Sequence, residues 1–140
     1  MRVRVLTLTA KGKLLTMASM VKKLIEADKE VDKIPPAYPC DGERLAVLVV
    51  SAKSKMPETF NRFVRTLNKR ITANIAFIID GTPENAAKII ELAKSGNSNV
   101  IEDNVLYVDG GLPFKFLKKV TPEEQEKVEA WVKEIRASLK

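Results

Sequence analysis

Short apolar runs alternate with amphipathic stretches along most of the chain. Val3 to Thr9 is rich in β-branched residues and predicts a strand; Ala10-Lys11-Gly12-Lys13 breaks it. Leu14, Ala18, Val21, Leu24 and Ile25 then recur at helical spacing as far as about Asp28. Glu30 to Ile34 predicts a short second strand, ended by Pro35-Pro36. The stretch from Pro35 to Gly42 is too short and turn-rich for a helix, so the second crossover helix is expected to be reduced or absent. Arg44 to Val50 and Ala73 to Ile79 are almost continuously apolar, as strands covered on both faces are.

The stretch between these two strands predicts a helix that starts at Pro57 and turns Phe60, Phe63, Val64 and Leu67 inward. Thr82 caps a third helix, with Pro83 at its first position and Ala86, Ile89, Ile90 and Ala93 inward, closing near Gly96. Val100 to Val108 holds the last strand, clearest over Val105 to Val108, and Gly110-Gly111 serves the turn after it. Thr121-Pro122-Glu123-Glu124 forms a capping box for a final helix that buries Val128, Trp131, Val132, Ile135 and Leu139.

Alternation of this kind predicts one α/β domain over residues 1–140: a three-layer, doubly wound, five-stranded parallel sheet in the order 2-1-3-4-5. That order puts a switch point between the first and third strands, where ligands of open α/β sheets bind. Lys11, Lys13, Lys53 and Lys55 would then project from adjoining loops beside Thr9, Ser51 and Ser54. Four like charges repel, and a bound phosphate is their natural neutraliser, with Gly12 allowing close backbone approach to the helix start. The bland reading is a solvated, lysine-rich turn.

Composition narrows the chemistry. With no histidine and one cysteine, the chain lacks Ser-His-Asp and Cys-His pairs, an internal disulfide and multi-thiolate zinc sites. Asp80, Glu102 and Asp109 lie near strand ends without a pair spaced for acid and base roles, and Cys40 in its proline-rich turn reads as an ordinary thiol. Any catalysis therefore falls to a cofactor or to carboxylates and lysines. The net charge of +6 favours anionic partners; it reads as spread along the chain, which solubility alone explains equally well. The usual nucleic-acid signatures are missing, no apolar run approaches membrane-spanning length, and Met1-Arg2 leads directly into a strand, so a cytoplasmic protein without membrane or nucleic-acid partners is expected.

With these elements assembled, the chain resembles the flavodoxin-like family over nearly its whole length. The resemblance rests on strand order, helix positions, Met56-Pro57 after the third strand, and Gly111 to Lys119 before a Thr-Pro-Glu-Glu helix, as in small flavodoxin-domain proteins. It implies FMN as cofactor and electron transfer or flavin-dependent redox chemistry, with a redox protein as partner. By position it implies a phosphate turn at Thr9, Ala10, Lys11, Gly12 and Lys13. The ring-flanking loops it implies are Ser51, Ala52, Lys53, Ser54 and Lys55, and Asp80, Gly81 and Thr82.

In this sequence Leu14 stands where the family carries a hydroxyl, and residues 51–56 contain no aromatic. A second reading therefore stays open: the same fold as a binding module without flavin, taking another phosphorylated or anionic ligand or a protein partner. Electron-carrying flavodoxins are typically acidic and this chain is basic, so it would not dock on the same redox partners.

Overall fold

The strands carry apolar residues on both faces, which requires a covering layer on each side. In the computed structural model, which describes residues 2–8, 12–109 and 120–140, that is how they are arranged. The elements in order are β1 (Val3–Thr7), α1 (Lys13–Ile25), β2 (Asp32–Lys33), β3 (Glu43–Ser51), α2 (Glu58–Thr66) and β4 (Thr72–Asp80). These are followed by α3 (Pro83–Lys94), β5 (Asn99–Val100), a 3-10 turn (Glu102–Asn104), β6 (Leu106–Val108) and α4 (Pro122–Ala137).

The sheet runs β2-β1-β3-β4-β5, and every pairing is parallel. β6 pairs with β4 as well, beyond β5 along the same edge: Asn99 and Val100 sit opposite Asn74 and Ile75, and Leu106 to Val108 opposite Ile78 to Asp80. The expected fifth strand is thus one edge strand interrupted by the Glu102–Asn104 turn, and the expected order holds.

Side chains of period two sort the core into two halves. Val3, Val5, Leu45, Val47, Val49, Ala76 and Ile78 face α1 and α4; Leu6, Leu48, Val50, Ile75, Phe77 and Ile79 face α2 and α3. Trp131 of α4 is buried in the first half, and its indole N–H donates to the Asn104 carbonyl at 2.8 Å. Gly96, after α3, lies so close to the turn following α2 that a Cβ there would stand 2.0 Å from the Leu67 carbonyl oxygen. Pro57 stands one position earlier than expected, as the N-cap of α2 with an extended ψ of 147°.

The second crossover carries no helix, as the proline pair implies: β2 has two residues, and residues 34–42 run as a strap to β3. The sheet under this strap carries a charge. Arg4 is buried, its guanidinium 3.2 Å from Asp32 and 3.9 Å from Glu43, and it also donates to the Tyr38 carbonyl at 3.2 Å. Glu43, buried too, accepts the Asp41 N–H. Cys40 packs beside them, and burial pushes its thiol up to about 11 although the Arg4 charge pulls the other way.

Candidate functional site

The register of the sheet brings the carboxyl ends of β1 and β3 side by side, with Thr7 opposite Val49, while Ser51 sits opposite Asp80 of β4. Between the β1 and β3 ends lies a crevice of about 240 Å³. Thr7, Leu8 and Leu14 form one wall and Ser51, Ser54, Lys55 and Met56 the other. This is the switch point that the strand order implies.

Of the expected phosphate turn, Thr9, Ala10 and Lys11 lie outside the described residues; Gly12 and Lys13 lie within them. Gly12 is the N-cap of α1 at φ 95°, a left-handed conformation that favours glycine, and a Cβ there would meet nothing within 4 Å. α1 has no side-chain cap and no acidic residue in its first turn. Thr16 donates its hydroxyl to the Gly12 carbonyl at 3.2 Å, and among the described residues no side chain caps the first-turn amides. That is a site of the kind an oxyanion occupies.

The lysines are less exposed to one another than the sequence suggests. Lys13 pairs with Glu124 of α4 at 2.6 Å. Burial pushes the Glu124 carboxyl up, but the Lys13 ammonium and the Thr121 amide and hydroxyl outweigh it and hold the group below its ordinary value. Lys53 crosses from the β3 loop to Asp80 at 3.1 Å and Asp109 at 3.2 Å, two contacts that raise its pKa, Asp80 first. Asp80 is buried at the end of β4. Neither partner, Glu124 nor Asp109, is marked by local sequence: Glu124 reads as a capping residue, and Asp109 comes to Lys53 only because β6 lies against β4.

The remaining expected residues hold the loops in place. Ala52 is buried and donates its amide to the Asp80 carbonyl at 2.9 Å; the Ser51 hydroxyl accepts the Lys53 amide at 3.4 Å. Gly81 has φ 148°, and Thr82 caps α3 in a capping box with Asn85. Ser54 and Lys55 face the crevice. On the far side of this same segment, Ser54, Lys55 and Met56 also wall a larger cleft of about 480 Å³ that runs between α2 and α3, which sequence reasoning did not anticipate.

Charge requires a correction. It is not spread along the chain: residues 51–71 hold six cations (Lys53, Lys55, Arg62, Arg65, Lys69 and Arg70) and one carboxylate, Glu58, a balance of +5 within a total of +6. The reason it escapes notice is that no two neighbours except Lys69-Arg70 are contiguous.

As a test of FMN, the described part of the β1–α1 end, Gly12 and the first turn of α1, offers backbone donors to a phosphate. At the ring end, the loops after β3 and β4 are tied by Lys53, and no aromatic residue lines the crevice among the described residues. No helix among the described residues is long and apolar enough to cross a membrane, and no group of three potential metal ligands occurs among them.

No protein-family model matches the chain, and no curated protein does. Among solved structures it is similar to oxidised flavodoxin 1 from Bacillus cereus, with a TM-score of 0.69 and 15% sequence identity over 100% of both chains. At that identity the likeness is one of architecture, and with the strand order above it establishes that this chain has the flavodoxin-like fold.

Proposed function

We propose that the chain binds a phosphorylated ligand at the carboxyl ends of β1 and β3, with FMN as the first ligand to test. The observation that carries this reading is the start of α1 behind Gly12, which has no side-chain cap among the described residues and lies at the switch point beside the 240 Å³ crevice. The first-turn amides of α1 and the Lys55 ammonium hold the phosphate; Leu8, Leu14 and Met56 receive the apolar part of the ligand. When bound, FMN supplies one- or two-electron transfer. Lys53 is tied to Asp80 and Asp109, so its charge is answered by two carboxylates and not by the ligand.

The Lys53 tie favours the second reading, a phosphorylated ligand that has no flavin ring and leaves the β3 and β4 loops laced together. One experiment separates them. The purified protein is mixed with FMN, passed through gel filtration, and its visible spectrum compared with that of the protein before addition. Retained flavin bands, lost in Gly12→Val where a branched side chain meets a left-handed backbone and fills the anion position, support the flavoprotein. Colourless protein after filtration retires flavin and electron transfer and leaves the phosphate site to a screen of ring-free phosphate esters.

A further inference from the structure

The cleft between α2 and α3 is larger than the crevice at the switch point and differs from it in chemistry. Lys55 comes to its rim from the β3 loop, Arg65 from α2 and Lys88 from α3, so three separate elements contribute one cation each. No carboxylate lines it. Glu58 is the acid closest in the network, held at 3.0 Å by Arg65, and both side chains of that pair are more than half exposed, so the guanidinium is readily won by a better-placed anion. Glu84 and Glu91 flank Lys88 on its own helix, yet neither forms an ion pair with it.

Two amides add direction. Asn85 commits its Oδ1 to Thr82, accepting the amide at 3.1 Å and lying 2.9 Å from the hydroxyl, which leaves its N–H donors as the end free to serve a ligand. Asn61 contributes a second amide from α2, one N–H of which reaches Glu58 at 3.5 Å on the exposed surface. Beneath these donors the floor is apolar: Ala52 and Ile89 are buried and Leu92 half-buried. Cations and donors around an apolar floor suit one class of molecule. About 480 Å³ also falls within the size of ordinary small-molecule pockets, roughly 300–1,000 Å³.

We propose that the α2–α3 cleft is a second ligand site, for an organic anion that carries a phosphate or sulfate group on a flat apolar body. The acid group lies among Lys55, Arg65 and Lys88, and the body lies on Ile89 and Leu92. The proposal does not rest on the flavin reading: Lys55 lines both pockets, but Arg65 and Lys88 line this one alone.

The test uses the full chain and 1-naphthyl phosphate as probe, followed by backbone amide NMR. Saturable shifts are expected at Asn61, Arg65, Asn85, Lys88 and Ile89, with inorganic phosphate binding more weakly because it leaves the floor uncovered. Arg65→Glu with Lys88→Glu, both on exposed surface, should weaken binding by about tenfold or more while the remaining amide spectrum is unchanged. Lys88→Glu alone gives the same direction with the Glu58 pair intact. Equal affinity in these variants, or shifts confined to residues around Gly12, overturns the proposal. FMN retention measured on the same variants is expected to match the parent chain, so failure of the cleft and failure of the flavin site are read separately.

Discussion

A single buried thiol shows how strongly the environment of one residue acts here. Cys40 is unremarkable in sequence, but within the strap its side chain is buried near Arg4 and Glu43, and desolvation pushes its pKa from 9.0 to about 11. In the unfolded chain the thiol ionises first, so the native state binds the extra proton. The stability this contributes is fully present below pH 9 and is lost as pH rises through 11. Denaturant midpoints are therefore expected to fall across that window in the parent chain, and to fall less in Cys40→Ser; identical slopes would mean that the thiol is not held neutral. A neutral, enclosed thiol should also react slowly with alkylating reagents at pH 8. The local sequence identifies Cys40 as a lone cysteine in a turn, and nothing in it forecasts Arg4 as its neighbour, because that contact spans 36 positions of chain.

At the scale of elements, capping residues are local and legible, and they do more than start helices. Thr121 accepts the Glu124 amide at 3.2 Å, Glu124 returns to the Thr121 amide at 2.9 Å, and Glu124 also holds Lys13 at the start of α1. The capping box of α4 thus presents the carboxylate that pairs with a cation beside the candidate phosphate site. Thr121→Ala should cost about 1 kcal/mol of stability in urea unfolding. Glu124, held below its ordinary pKa, stabilises the fold above the normal glutamate range, and that contribution disappears as pH falls through its native pKa; Glu124→Gln should flatten the acid limb accordingly. An unchanged acid limb would show that the Lys13 pair is loose in solution. The box is readable from Thr-Pro-Glu-Glu alone, since both partners lie within four residues. The Lys13 pairing is not, because it depends on α1 and α4 covering the same face of the sheet.

For the whole molecule, the strap in place of the second crossover helix is the feature that most depends on long-range contacts. A crossover between parallel strands ordinarily needs a dozen or more residues and a helix. Here nine residues suffice because Arg4, reaching up from β1, joins Asp32 at one end of the strap, the Tyr38 carbonyl in its middle and Glu43 at the other. Arg4→Met leaves Glu43 buried without its cation and should destabilise the protein by about 3–5 kcal/mol. Unfolding in urea measures this, and a loss below about 1 kcal/mol would mean that the strap stands without the network.

The sequence by itself determined the elements, their order and the parallel sheet, because each rests on short-range regularities. Apolar runs such as Val47 to Val50 need cover on both faces, helical spacing from Leu14 to Ile25 makes one inner stripe, and Pro35-Pro36 forbids a helix where one is absent. Tertiary structure decided which charges answer one another. Lys13 meets Glu124, Lys53 meets Asp80 and Asp109, and Lys55 and Arg65 meet Lys88 of α3 around one cleft. Backbone preference and hydrophobic period act over a few residues and leave their mark in the local sequence. Coulombic partners are chosen by which strands and helices become neighbours, and that is set only when the sheet is wound.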